Sequence, residues 1–596
     1  MKTFLSFMLA ALCFVVFFQV RENAFLSLDD DLYVSENPYI RDGLTVNGLR
    51  WAFTAGLLHT SKHTDYWQPF TFISRMLDFQ FVGGKAAGHH CVNLVLHILN
   101  VLLLFFLLQR STGRLWPSFA AACLFGVHPL AVEPVSWVTA RKDVLGWFFG
   151  LLCLHAYLSY RRSSGGKWYA GCLAAFVAAL LSKPAMIVLP GYLVIVEFWV
   201  LRPPLLPAPL PNITRGEGVS RVIPFCLIAL LYAGIPFISQ RDVFPYKSGV
   251  EIVSHVFDRY FFFLQKFFWP AHLWIYGGMV MPVFNPFILT AKIFSLAGIS
   301  ILAYRMRQRF PFLLAGWLWF VVGLIPVAGL EWPADRFMYV PMVGLIVMVV
   351  WSGAEWQRGW PKPAGVWVAT ISVLIAVCAG LSFQQGRFWR DSPTLFAHAL
   401  AMYPDNYWAH NSLGVTLTGA NKLDEAKRHF QRAIELRPND AKQLTNMASL
   451  LIKQGQYEPA YPYAKKGYEL DPFFPAAINN LALVFERRGN MEDAVCLYLK
   501  GLANNPQDPT LRENFANFLK NAGQNGPRQD GVYTRHYQNK AVSQEVKFVQ
   551  GKMEGFYRVY LPDGDLVLEQ EYKNGIPVGK PKRYYQKKVL GDYVPQ

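Results

Sequence analysis

The chain has 596 residues, of which 53% are hydrophobic, 15% aromatic and only 16% charged, with a mean hydropathy of +0.21. That is too little charge for an ordinary soluble protein of this length and directs the reading to a membrane. The net charge of +17 comes without a helix-turn-helix, zinc-finger or RNA-binding signature, so nucleic acid is set aside and the basic residues are read as flanks of membrane segments.

In chain order, the apolar run from Met1 to Val20 carries a single Lys2 and no small-x-small cleavage site, and is read as an uncleaved first membrane helix. Stretches long enough to approach a bilayer crossing follow: the full set is 3–20, 91–110, 116–132, 144–160, 168–182, 187–201, 221–239, 286–304, 310–328, 337–353 and 364–383, about eleven helices by the length criterion. With the N-terminus inside, the clusters Arg110/Arg114, Arg161/Arg162/Lys167, Arg202/Arg221 and Arg305/Arg307/Arg309 all fall on the cytoplasmic side. The aromatic segment 261–276 would break that pattern if it spanned, and is read as lying at the interface. The C-terminus then comes out on the non-cytoplasmic side. Seven of the eight cysteines lie in apolar stretches and read as small buried hydrophobes.

After the last span, residues 386–406 read as a junction with a partial repeat. Residues 407–508 align as three repeats of 34: Gly414, Ala448 and Ala482 share one position, Ala426, Ala460 and Ala494 a second, Pro438, Pro472 and Pro506 a third. Small residues let two antiparallel helices pack closely, and the proline stops the second one. Residues 509–530 read as a linker. In the tail, 531–596, Phe548, Gly551, Gly555 and Tyr560 return 24 positions later as Tyr572, Gly575, Gly579 and Tyr584, which predicts short strand pairs similar to MORN repeats.

Chemistry-bearing residues collect in the predicted outward loops. The first, 21–90, is long and starts Asp29-Asp30-Asp31 just beyond the first helix; acids there are either solvated or serve as a general base or metal ligand. The second holds Glu133, Arg141, Lys142 and Asp143, which form either a structural ion pair or an anion site for a lipid phosphate. A third carries Asp335 and Arg336, with snorkelling and phosphate binding both open. Lys183 and His89-His90 stand at predicted outer helix ends; adjacent histidines on a helix point apart and are weak evidence for a metal.

Taken in order, Asp29-Asp30 with Asn37-Pro38, Trp67 with Pro69, His90 with Asn93 and His97, His128-Pro129 with Glu133 and Arg141-x-Asp143, then Asp335-Arg336-x-x-Tyr339, resemble the transmembrane and tetratricopeptide-repeat proteins. These are glycosyltransferases of the GT-C fold related to protein O-mannosyltransferases, and the resemblance covers residues 20–510. It implies an enzyme that moves a sugar, a mannose-like hexose, from a polyprenyl-phosphate donor to a hydroxyl of a protein on the extracytoplasmic side. By position, Asp29 and Asp30 match the family's acidic pair, with Asp30 expected as the base; the extra Asp31 leaves the register open. Glu133 matches the second-loop acid, and Arg141, Arg336 and Lys183 would hold the donor phosphate, supported by His90, Asp143 and Asp335. The β-rich tail departs from animal members and points to a bacterial inner-membrane protein with its repeats in the periplasm. No cofactor is implied beyond the lipid-linked donor, and a divalent metal is left open. In the repeats, Asn411, Asn446 and Asn480 occupy related positions, as would suit either a peptide-binding groove or ordinary solenoid surface. Two other functions stay open: a non-catalytic membrane scaffold whose repeats recruit envelope proteins, and a GT-C enzyme acting on a lipid or glycan.

Overall fold

The computed structural model describes residues 1–55, 67–163, 165–200, 220–239, 249–271, 273, 285–330, 333–358, 365–505, 508–524, 531–536, 541–549, 552–560, 564–574 and 576–583. The chain divides into two compact units, Met1–Pro404 and Asp405–Gln596.

The first unit is helical, and each of the eleven apolar stretches contains a helix. Among the described residues, four are both long and apolar enough to cross a membrane unaided: Lys2–Glu22, Ala86–Thr112, Pro286–Gln308 and Gly365–Arg387. The pair Leu115–Val127 and Pro129–Ser136, bent by 56°, makes a fifth. The count of eleven is thus larger than the helices support one by one, because Gly166–Ser182 and Pro311–Leu324, among others, are short. The outer helices turn apolar faces outward: Pro286–Arg305 buries only Leu296 and Ala303, while Phe287, Ile288, Phe294 and Leu302 are exposed. In water such a face would be a liability; against lipid chains it is a matched surface. The aromatic segment expected at the interface is the second half of a helix, Gly249–Phe268, that ends ahead of Pro270. Residues 272 and 274–276 of that segment lie outside the described residues.

The long first loop is not a loop. Asn37 caps Pro38–Arg41 by accepting from the Tyr39 amide, Thr45 caps Val46–Thr54 by accepting from the Gly48 amide, and Pro69–Val82 follows. Their apolar sides close over a small core of Tyr33, Val34, Ile40, Trp51, Phe72 and Met76, joined by Val138 from the next outward segment. That core holds the acidic turn against residues 138–141.

In the second unit the repeats form the helix pairs Tyr407–Gly419/Leu423–Leu436, Ala441–Lys453/Tyr457–Leu470 and Pro475–Arg487/Met491–Asn504. The stretch read as a linker is largely a seventh helix, Pro509–Gln524. Its Leu511, Phe515 and Phe518 are buried, with Phe515 against Tyr498 at 5.7 Å, so it covers the end of the solenoid. The tail is an antiparallel sheet of β1 (Gly531–His536), β2 (Val542–Val549), β3 (Lys552–Met553), β4 (Gly555–Tyr560), β5 (Leu566–Lys573) and β6 (Ile576–Arg583), in the order β1-β2-β4-β5-β6 with β3 on β2. Strand β5 starts and ends 24 residues after β2, which is the period read from the sequence. Gly551, Gly575 and Tyr584 of that pattern lie outside the described residues.

Candidate functional site

The site is built where the acidic turn meets the segment 128–143. The first helix unwinds through Phe18–Glu22 and brings Asp29, Asp30 and Asp31 to the start of a π-helical turn, Asp31–Ser35. The three acids have different surroundings. Asp30 is fully buried; one carboxylate oxygen accepts from the Thr139 amide (2.9 Å) and hydroxyl (2.6 Å), the other from the Leu26 amide (2.9 Å). Burial pushes its carboxyl up to about 6, against the pull of those hydrogen bonds and of Arg75. Asp31 accepts locally from the Leu32 amide. Asp29 is half-buried, and its charge reaches Lys142.

Arg75, also fully buried, donates to the carbonyls of Tyr33 (3.2 Å) and Thr139 (2.9 Å). Burial, and then Arg141 beside it, lower its guanidinium to about 10. Thr139 therefore ties the acidic turn and the helix Pro69–Val82 together through its amide, hydroxyl and carbonyl.

Arg141 is held within the protein. It is fully buried and donates to Asp78 (2.7 Å), Ser74 (2.7 Å), the His89 carbonyl (2.9 Å) and Asn93. Burial raises the Asp78 carboxyl, but Arg141 and His89 overcome that and hold it below the usual range. The guanidinium expected at the donor phosphate is thus engaged by one carboxylate and three neutral groups.

Arg336 is placed differently. It pairs with Glu133 through its side chain and through its amide (2.9 Å), and lies over the ring of Trp137 at 5.0 Å. Asp143 pairs with Lys183, and the second Asp143 oxygen is buried without a hydrogen bond. Lys142, named in the sequence only as part of the second-loop cluster, feels the charges of Arg336, Asp143, Asp29 and Arg75. The charges of a first-loop acid, Asp29, a second-loop acid, Asp143, and the third-loop Arg336 thus all reach one lysine. Asp335 is buried within electrostatic reach of Lys266.

Other motif residues hold helices together. His97 donates from Nε2 to the Gly126 carbonyl (3.0 Å), so its Nδ1 accepts from the Tyr339 hydroxyl (2.7 Å), which also accepts from Asn100 (3.2 Å). His90 meets the Ala24 carbonyl (3.3 Å), and His128 stacks on Phe267. Among the described residues no three His, Cys, Asp or Glu side chains come close enough together to hold a metal ion.

The repeat asparagines bond to the neighbouring repeat. Asn446 donates to Asn411 (2.9 Å), and Asn480 donates to the Thr445 carbonyl (3.0 Å) and Ser449 (2.7 Å). These positions, expected either in a peptide-binding groove or on ordinary solenoid surface, link the first helices of successive repeats through their amides. Arg75, Asp78 and Thr139 were missed in the sequence. The signal was there for two of them, since Arg75 and Asp78 are charges three apart on an otherwise apolar helix, PFTFISRMLDFQFV.

The tetratricopeptide repeat family models match residues 407–440 and 445–509. The chain is 24% identical over 488 residues to human protein O-mannosyl-transferase TMTC1, covering 71% of this chain and 54% of that protein. It is 24% identical over 439 residues to human protein O-mannosyl-transferase TMTC3, covering 64% and 45%. The chain thus spans about half the length of the curated relatives it matches. Among solved structures, ArnT from Cupriavidus metallidurans bound to undecaprenyl phosphate aligns over 92% of this chain and 96% of its own, at 16% identity and a TM-score of 0.35.

Proposed function

We propose that this repeat-bearing membrane protein, homologous to the protein O-mannosyl-transferases, is an inverting glycosyltransferase of the GT-C type. It moves a hexose from a polyprenyl-phosphate carrier to a hydroxyl of a protein on the extracytoplasmic face. The observation that carries this reading is the convergence on Lys142 of Asp29, Asp143 and Arg336, the last held by Glu133. A half-buried carboxylate beside a cluster of cations is what displacement of a phosphate by a hydroxyl requires.

Asp29 takes the proton from the acceptor hydroxyl as its oxygen attacks the anomeric carbon. The sugar–phosphate bond breaks on the opposite side, and the phosphate leaves with the electron pair. Lys142 and Arg336 face the developing charge; Lys183 adds to the field through Asp143. Asp30, with all its hydrogen bonds satisfied, positions the turn. The repeats dock the acceptor or a partner protein. If all eleven helices cross, paired short helices completing the bundle, the repeats lie on the side of the acidic turn, which in a bacterium is the periplasm.

Sugar transfer in membranes, supplied with polyprenyl-phosphate hexoses and read by intact mass of envelope proteins, tests this. Asp29→Asn is expected to lose transfer by about 10²–10⁴-fold while the chain stays folded. Retention of activity in Asp29→Asn with loss confined to Asp30→Asn would return the base to Asp30. Absence of transfer by the wild type with every donor would remove the enzyme reading.

A further inference from the structure

The helix Ala86–Thr112 has 27 residues and is about 40 Å long, so its end lies at the membrane face opposite the acidic turn. The helix Arg141–Ser163 runs alongside and ends at the same face. There a cleft of about 550 Å³ opens beside the hairpin with Gly166–Ser182, with Arg110, His155, Ser159 and Lys167 on its polar side and Gly171 and Ala175 on its apolar side. A Cβ on Gly171 would meet nothing within 4 Å, so the missing side chain leaves real space.

Several basic residues cluster at this end, and their pairing is uneven. Arg161 pairs with Glu197, and Arg114 with Glu355. Among the described residues Arg110, Arg162 and Lys167 have no carboxylate partner. Arg110 is instead fixed by neutral groups. His155 donates from Nε2 to the Leu103 carbonyl (2.9 Å), which leaves Nδ1 to accept from Arg110 (3.2 Å), and Ser159 accepts from its other terminal nitrogen (3.1 Å). Two of five guanidinium donors are used and three remain. Arg162 is drawn against the same residue by its bond to the Arg110 carbonyl (2.7 Å). Three cations gathered at a membrane edge, one of them half-buried and held in a set orientation, repel one another unless an anion joins them. Trp168, 42% exposed beside Lys167, is the side chain that settles at headgroup depth.

We propose that this cleft binds the phosphodiester headgroup of an anionic phospholipid from the leaflet on that side. Arg110 and Lys167 take the phosphate, Arg162 adds charge, and the Gly171–Ala175 wall receives the start of an acyl chain. This site is separate from the proposed transfer chemistry and does not depend on it.

The test is lipid retention by the 596-residue chain in discs of phosphatidylcholine alone or with a minor share of phosphatidylglycerol, read by native mass spectrometry after delipidation. Wild type is expected to retain phosphatidylglycerol in preference, and Lys167→Gln and Arg162→Gln each to cost roughly fivefold in its affinity. Gly171→Leu fills the cleft without altering charge and is expected to keep its unfolding temperature yet lose the retained lipid. Equal retention of both lipids by wild type, or unchanged retention in Gly171→Leu, overturns the proposal. So does inorganic phosphate, added to phosphatidylcholine discs, stabilising the chain as well as the lipid does, since the site would then take a free anion.

Discussion

Asp30 and Thr139 lie 109 residues apart, and a single carboxylate oxygen of the first accepts from both the amide and the hydroxyl of the second. Losing the hydroxyl leaves a buried carboxylate one bond short, which costs about 1.5–3 kcal/mol. Thr139→Val is therefore expected to lower the unfolding temperature of the detergent-solubilised chain, and Thr139→Ser to restore it. Equal stability of the valine and serine variants would mean the hydroxyl bond is not made.

The same carboxyl gives the chain a pH signature. Asp30 is raised from its ordinary 3.8 to about 6 in the fold, chiefly by burial. Between those two values the folded state binds more protons than the unfolded one, so this group's contribution is full below pH 3.8 and is lost as pH rises through 6. The change is about 3 kcal/mol. Asp30→Asn should flatten the stability profile of wild type between pH 4 and 6.5; parallel profiles would refute the assignment.

Arg141 and Asp78 make a buried pair that a lysine cannot reproduce, because one guanidinium serves a carboxylate, an amide oxygen, a hydroxyl and a backbone carbonyl together. Arg141→Lys is expected to destabilise by about 3–5 kcal/mol, the cost of leaving Asp78 badly paired. The readout is the yield and melting temperature of purified protein. A stable, folded Arg141→Lys chain that lacks only transfer activity would instead put Arg141 on the donor phosphate.

In the first repeat, Gly414 stands where the next two repeats carry Ala448 and Ala482. A Cβ there would come within 2.6 Å of the Phe430 ring. Gly414→Ala is expected to cost about 1–3 kcal/mol through overpacking. Combined with Phe430→Leu, the loss should be less than the sum of the two single changes. Strict additivity in thermal unfolding would show that the two residues do not compete for the space.

Much of this architecture is legible in the sequence because periodicity reports local packing. The repeats announce themselves by alanine and proline spacing, and the tail by its 24-residue offset. The first outward segment misled because its helices are short and individually capped, so no long apolar run marks them; only Asn37 and Thr45 hint at starts. Which acid is anchored and which is half-exposed is a long-range fact. It depends on Thr139, whose neighbours in sequence say nothing of Asp30. The surroundings of Lys142 were hidden for the same reason: besides the adjacent Asp143, its charged neighbours Asp29, Arg75 and Arg336 come from three separate segments.

The acidic turn also takes bonds from much later in the chain. The Ala24 amide donates to the Arg390 carbonyl, and the Ser27 amide to the Ser392 hydroxyl, 365 residues on. At roughly 5–20 residues per second of synthesis, the turn emerges about 20–70 s before these last partners exist. For that interval the membrane holds a bundle whose first-made segment is its least finished. A chain that stops before residue 390 leaves the Ala24 and Ser27 amides without these two partners.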